Sequence, residues 1–282
     1  MPDLESLEIY ASYRKSPYLS VKHSSYFQVY EELLSRFKNR PITFVEVGIL
    51  HGGSLFMWRD YLGPEARIIG IDVDPVARRW ESSGFEIHIG DQGDPRFWDG
   101  FFSAVGDVDV LLDDGGHFND QQIVTAHGCI PHIRDGGMLI VEDTHASYLE
   151  FYRNPSRFSF INYSKEMIDR INSRCAVLHK SDDVYKNAVY SMGIYESIVC
   201  FNIDRGKCFV SSHTSNEGRP LGAQEFSKPE PDAVLDLQNA LRQRFSFLRW
   251  IAPLRAAQRF AFDAWLSLRA RIGARKLKKY FL

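Results

Sequence analysis

Asp109-Val110-Leu111-Leu112-Asp113-Asp114-Gly115-Gly116-His117 is the stretch on which the fold turns. Three apolar residues climb a buried strand, and the run then breaks into two carboxylates, two glycines and an imidazole. In an open parallel sheet, ligands gather at the carboxyl ends of the strands, where the connecting loops supply polar groups. A second apolar run, Met138-Leu139-Ile140-Val141, ends the same way in Glu142-Asp143-Thr144-His145. Two neighbouring strands that discharge acid and histidine at one edge predict a site and not a core.

Upstream of this stretch, Ile42-Thr43-Phe44-Val45-Glu46-Val47 is rich in β-branched residues, as a strand buried on both faces should be. It runs into Gly48-Ile49-Leu50-His51-Gly52-Gly53-Ser54 and then a helix through Leu55, Trp58 and Tyr61. The glycines permit a tight turn and a close ligand approach, and the helix amino terminus offers free N–H groups. Many mononucleotide-binding folds share that turn. The next strand, Arg67-Ile68-Ile69-Gly70-Ile71, ends in Asp72-Val73-Asp74-Pro75. Asp72, about 20 residues past the glycine turn, suits hydrogen bonds to a ribose diol. Asp74, directly before a proline, reads as the cap of the following helix.

A third strand over residues 85–89 ends in Gly90-Asp91-Gln92, a polar pair at the same edge where an adenine ring would reach. A helix from about Gln121 to His132 separates the fourth and fifth strands. Strands alternating with helices predict right-handed crossovers and a doubly wound, mostly parallel α/β sheet of Rossmann-like type.

The flanks are less regular. Residues 1–21 read as a loose lead-in. Ser25 to Phe37 has helical spacing that puts Tyr26, Tyr30, Leu33 and Phe37 on one packing face, with Ser25 as N-cap. Residues 149–172 are aromatic and charged, which suggests a lid-like insertion followed by a helix. Val189 to Ile194 and Ser197 to Ile203 read as an antiparallel hairpin turning at Tyr195-Glu196, which closes the sheet.

Four segments follow: 1–40 as an N-terminal lead-in and helix, 41–205 as the sheet domain, 206–232 as loop and 233–282 as a helical tail. From Arg249 onward the tail carries Arg255, Arg259, Arg269, Arg271, Arg275, Lys276, Lys278 and Lys279, with Asp263 its single acid. Interleaved apolar residues make it a basic amphipathic element. Such an element docks on its own domain or on a second copy, or lies on an anionic membrane surface.

Composition sets outer bounds. A chain of 282 residues, 44% hydrophobic and 25% charged, falls within the ordinary range for a globular protein. A net charge of −2 argues against binding nucleic acid over the whole surface. The acidic start lacks the plan of a signal peptide, and no apolar run approaches the ~18–20 residues of a spanning helix. Cys129, Cys175, Cys200 and Cys208 are scattered without a Cys-x-x-Cys pair, which predicts buried free thiols in a reducing cytoplasm.

Phe44-Val45-Glu46-Val47-Gly48, Gly70-Ile71-Asp72 and Gly90-Asp91-Gln92 resemble the class I S-adenosylmethionine-dependent methyltransferases. Gly52-Gly53-Ser54-Leu55, Asp113-Asp114-Gly115-Gly116-His117 and Glu142-Asp143 resemble, more narrowly, the macrolide-sugar O-methyltransferases of the macrocin and mycinamicin type, related to the cephalosporin-hydroxylase-like group. Ile194-Tyr195-Glu196-Ser197-Ile198-Val199 is similar to that family's closing strands, and Lys22-His23-x-x-Tyr26 with Tyr30-Glu31 to the helix that leads into its sheet. The resemblance covers about Val21 to Asp204. It departs at Gly116, where the family often has serine, and the basic tail has no counterpart in it.

The resemblance implies a set of roles. S-adenosylmethionine would be held by Glu46, Gly48, Gly52, Ser54, Asp72, Asp91 and Gln92, with Lys22 at the carboxylate end of its methionine. Asp113 would be a further cofactor contact or a partner of the metal ligands. A divalent cation, magnesium by preference for hard oxygen donors, would be bound by Asp114, Glu142 and Asp143. His117, supported by Asp114, would be the general base, with His145 its competitor. His51, His88, His127 and His132 are assigned to structure or surface.

The acceptor so implied is a small hydroxylated molecule, a sugar or glycosylated natural product, handled by a cytoplasmic homo-oligomer. Two alternatives stand beside it: methyl transfer to a catechol or other phenolic diol, and a non-catalytic scaffold of the same fold carried to a membrane or partner by the tail.

Overall fold

The computed structural model describes residues 4–152 and 157–219, with isolated positions 222, 260, 264, 267, 268, 271 and 280 beyond them. Seven strands form one sheet: β1 (Thr43–Val47), β2 (Arg67–Asp72), β3 (Glu86–Ile89), β4 (Val108–Asp113), β5 (Ile133–Val141), β6 (Val189–Tyr195) and β7 (Ile198–Ile203). Their order is β3-β2-β1-β4-β5-β7-β6. The first five are parallel, and the β6–β7 hairpin joins β5 antiparallel through β7. The expected Rossmann-like sheet with a closing hairpin is therefore present. The strand order reverses between β1 and β4, and it is outside such a reversal that an open α/β sheet binds its ligands.

The helices are α1 (Glu8–Lys15), α2 (Tyr26–Leu34), α3 (Gly53–Leu62), α4 (Pro95–Val105), α5 (Asn119–Cys129) and α6 (Phe160–Asn172). Side chains alternate along the strands between two apolar layers. Phe44, Val110, Leu112, Met138 and Ile140 face α1, α2 and α3, while Val45, Val47, Leu111, Leu139 and Val141 face α4, α5 and α6. Each fully buried side chain of this size contributes roughly 1.5–3 kcal/mol. The two layers leave the strand tips as the free edge of the domain.

Several expectations are corrected. Much of the lead-in is helix: α1 buries Ile9 completely, and Ser12 and Lys15 both bond Asp60 on α3. Ser25 makes no capping bond and is itself helical in backbone. Asp74 is a cap as expected, accepting from Val76 N, but the segment it starts, Pro75–Ser83, is a 3₁₀ helix. The hairpin turns one residue later than expected, with Ser197 at φ 60°. All four cysteines are free, yet only Cys129 and Cys200 are buried and Cys175 is exposed. The helix expected after the lid-like insertion is present as α6, docked by Phe160 and Met167 against the sheet. Among the described residues, no helix is long and apolar enough to cross a membrane. The tail over 233–282, apart from the isolated positions, lies outside the described residues.

Candidate active site

Register brings the strand tips level. Val47 pairs with Ile71 and Asp113, and Asp113 with Val141, so the next residues out share one row. Gly48 N donates to Ile71 O, Asp114 N to Val47 O and Glu142 N to Asp113 O, extending the ladder into the loops. Gly48 has to be glycine: its φ is +81°, and a Cβ there would lie 2.2 Å from the Asp114 carbonyl oxygen. The close approach of β1 and β4 at this point opens a cleft beside them.

That cleft holds about 500 Å³ and is lined by Gly48, Leu50, Asp72, Asp91, Gln92, Asp114, His117 and Asp143 among others. Asp72 sits in its wall and also fixes the glycine turn, because Oδ2 accepts from the N–H groups of Ile49 and Leu50, each at 3.1 Å. Gln92 spans the floor. Its Nε2 donates to Asp113 Oδ1 and Thr125 Oγ1, and its Oε1 accepts from Gly116 N. Asp113 lies beneath, wholly buried, and burial pushes its carboxyl up despite the bonds from Gln92 and Gly115. A Cβ on Gly116 would meet Gln121 Oε1 at 2.1 Å, so a serine at this position requires Gln121 to swing aside.

Beside the cleft is a second pocket of about 170 Å³, lined by Val21, Lys22, His23, Tyr26, Asp114, Glu142 and Asp143. Asp114 and Asp143 belong to both walls. His117 Nε2 stands 3.3 Å from Asp143 Oδ2, whereas His145 Nδ1 and His23 Nε2 are 3.9 and 3.8 Å from Oδ1 of the same residue. His117 faces the cleft and His145 does not. Among the described residues, two groups offer donor atoms mutually within 4.8 Å: Asp114, His117 and Asp143, and His23, Asp143 and His145. Carboxylate oxygens from two strand tips with an imidazole beside them fit a divalent cation.

Glu142 points inward. Tyr30 Oη donates to its Oε1, and Lys22 Nζ to its Oε2 at 3.1 Å. The same ammonium donates to Asp114 Oδ2 at 2.6 Å and lies 3.7 Å from Glu46 Oε1. Burial opposes the charge on Lys22, but the carboxylates of Asp114, Glu142 and Glu46 overcome it and hold the ammonium well above its usual range. Burial likewise raises Glu142, against the pull of Lys22. It pushes Glu46 up to about 7, with Lys22 and the Ser54 hydroxyl opposing. Ser54 Oγ donates to Glu46 Oε2 at 2.7 Å.

Of the residues singled out in the sequence, Gly48, Asp72, Asp91, Gln92, Asp114, His117 and Asp143 line the cleft. Glu46, Gly52, Ser54 and Asp113 do not line it, and Lys22 and Glu142 line the smaller pocket. Gly52, at φ +77°, lets the turn pass Trp80, whose ring a Cβ would strike at 2.3 Å. The sequence did not assign the tyrosine hydroxyls. Tyr26 Oη donates to Asp143 Oδ1 at 2.5 Å and Tyr30 Oη to Glu142, so the packing face of α2 is also a hydrogen-bonding face. The signal available was the four-residue spacing of Lys22, Tyr26 and Tyr30.

Sheet order and strand-tip acids together define a Rossmann-like α/β fold with an acidic site at the carboxyl ends of its strands. The chain superposes on the MycE methyltransferase of the mycinamycin biosynthetic pathway, solved in complex with Mg, SAH and mycinamycin VI, with a TM-score of 0.63 and 22% identity over 84% of this chain and 59% of that one. In sequence it is similar to an 8-demethyl-8-α-L-rhamnosyl tetracenomycin-C 2′-O-methyltransferase of Streptomyces olivaceus, 28% identical over 55% of this chain and 45% of the relative. It is also similar to the demethylmacrocin O-methyltransferase of Streptomyces fradiae, 29% identical over 52% of this chain and 38% of that protein. The match thus spans less than half the length of these curated relatives. No protein-family model matches the chain. The resemblance read from the motifs is to the same group of sugar O-methyltransferases.

Proposed function

We propose that the chain is an S-adenosylmethionine-dependent O-methyltransferase that methylates a sugar hydroxyl of a glycosylated small molecule with the help of a divalent cation, magnesium by preference. The observation that carries this reading is the shared wall: Asp114 and Asp143 separate, and belong to, both the 500 Å³ cleft and the smaller pocket. A cofactor in the one and a hydroxyl in the other meet across two acids and an imidazole. That the MycE methyltransferase of the same fold was solved with Mg, SAH and mycinamycin VI together is consistent with a cation, a cofactor and an acceptor sharing one site.

Asp72 would bind the ribose, with Asp91 and Gln92 near the purine. Asp114 and Asp143, with Glu142 behind them, would hold the cation. When bound, the cation acidifies a hydroxyl that is otherwise a poor nucleophile at neutral pH. His117 takes the hydroxyl proton on its imidazole, and the Asp143 carboxylate beside Nε2 stabilises the imidazolium that results. Asp143 in turn is held by Tyr26. Methyl transfer would then be a single displacement, the hydroxyl oxygen forming its bond to the methyl carbon as the cofactor's sulfur leaves as a neutral thioether, and positioning by these residues would contribute several kcal/mol.

The test is methyl transfer from labelled cofactor to a panel of deoxysugar-bearing compounds and phenolic diols, with and without EDTA. The reading expects transfer to a sugar hydroxyl, lost on chelation. Transfer to phenols alone would overturn the assignment of acceptor, and none to any member would count against an active enzyme.

A further inference from the structure

Lys22, Tyr26 and Tyr30 lie four residues apart, just before and along α2, and each places its polar tip on one of the strand-tip acids. Tyr26 reaches Asp143, Tyr30 reaches Glu142, and Lys22 joins Glu142 to Asp114. The three are not equivalent. The tyrosines are neutral donors, and burial together with the neighbouring carboxylates keeps both phenols protonated at any working pH. Lys22 is a cation with a side chain only 2% exposed, and Glu142 beneath it is completely buried.

Buried carboxylates without a counter-charge are costly, and the ammonium supplies that charge here. Yet Asp114 Oδ2 and Glu142 Oε2, which it occupies, are oxygens that a divalent ion would use. Two cations a few ångströms apart in a low-dielectric pocket repel strongly. The ammonium and the ion therefore compete for one position. Lys22 also lines the 170 Å³ pocket, so its side chain has open volume to enter.

We propose that Lys22 is the exchangeable counter-ion of this acid cluster: its ammonium holds Asp114 and Glu142 together until a divalent cation displaces it, while Tyr26 and Tyr30 keep Asp143 and Glu142 in position through the exchange. The inference rests on the reading of these acids as a metal site.

Mn²⁺ titrated into protein free of cofactor and acceptor, with unbound ion followed by electron paramagnetic resonance, tests it in the unaltered chain and in Lys22→Met. The variant is expected to bind Mn²⁺ roughly tenfold or more tightly, because no buried ammonium has to be displaced. In EDTA it should melt at a lower temperature than the unaltered protein and recover when Mn²⁺ is added. A second measurement needs no variant: a brief pulse of amine acylation read by peptide mass spectrometry should modify Lys22 only when Mn²⁺ is present.

Equal or weaker Mn²⁺ binding by Lys22→Met, or acylation of Lys22 indifferent to Mn²⁺, would overturn the exchange and leave the metal reading intact. Failure of both proteins to bind Mn²⁺ would overturn the metal reading as well. If Lys22→Met does not fold, the acylation result on the unaltered chain decides.

Discussion

His117 and Asp143, 3.3 Å apart between Nε2 and Oδ2, both hold left-handed backbone conformations, at φ 60° and 53°. Neither residue is glycine, and each such conformation costs on the order of 1–2 kcal/mol. Two strained turns, one after β4 and one after β5, aim an imidazole and a carboxylate at each other across the cleft edge. Replacing His117 by Asn, which tolerates a left-handed backbone but cannot serve as the base, isolates the proton transfer from the turn. Turnover of His117→Asn should fall on the order of 10²–10⁴-fold, with cofactor binding measured by calorimetry unchanged. Undiminished turnover would move the base elsewhere, His145 first.

Gly48 offers a test of the frame. Gly48→Ala brings a methyl to 2.2 Å from backbone that cannot move without unpairing β1 from β4, and at a φ of +81°. The variant should lose several kcal/mol of stability or fail to accumulate in soluble form, since strain and clash add. Gly100→Ala, in α4 with nothing within 4 Å of the new methyl, should instead gain about 0.5–1 kcal/mol from helix propensity. Thermal melts of the pair would refute the steric argument if the two shifts were alike.

Much of this was legible in the chain. Apolar runs ending in Glu46-Val47-Gly48, Asp72, Asp113-Asp114 and Glu142-Asp143 announce parallel strands with acids at one edge, because burial on both faces demands apolar strands and function puts acids at their ends. Less was legible where meaning depends on what a face meets. The spacing of Tyr26 and Tyr30 gives a shared face, but only the fold reveals carboxylates opposite their hydroxyls. Lys22 looks like a ligand for an anion from outside, whereas the anions it meets belong to the protein. Helix α1 is not legible because the eight residues between Leu7 and Ser16 carry too short a periodic signal, and its anchor, Ile9, is buried in a core built with residues of α2 and α3. The left-handed turns at His117 and Asp143 leave no mark in composition at all.

Metal removal separates the enzyme reading from the scaffold reading. EDTA should abolish methyl transfer and added magnesium restore it, because the hydroxyl loses the cation that acidifies it. Asp114→Asn, which removes a charged oxygen donor shared by both pockets, should raise the magnesium concentration needed for half-maximal rate while leaving the sheet intact by circular dichroism. Activity indifferent to chelation would release Asp114, Glu142 and Asp143 from the role given to them.

Glu46 predicts a pH dependence of stability whose sign follows from burial. Its carboxyl is pushed up from an ordinary 4.5 to about 7, so the folded protein holds that proton more tightly than the unfolded chain does. The resulting stabilisation is fully present below pH 4.5 and is lost as the pH rises through 7. A shift of this size corresponds to about 3 kcal/mol. Gln at this position keeps an oxygen to accept from Ser54 and has nothing to titrate. Denaturant unfolding in EDTA at a series of pH values between 4.5 and 8 should therefore show the unaltered protein losing stability relative to Glu46→Gln, most of the loss falling between 4.5 and 7. Curves that stay parallel across that window would mean that the buried carboxyl stays charged throughout, with Lys22 and Ser54 fully offsetting its burial.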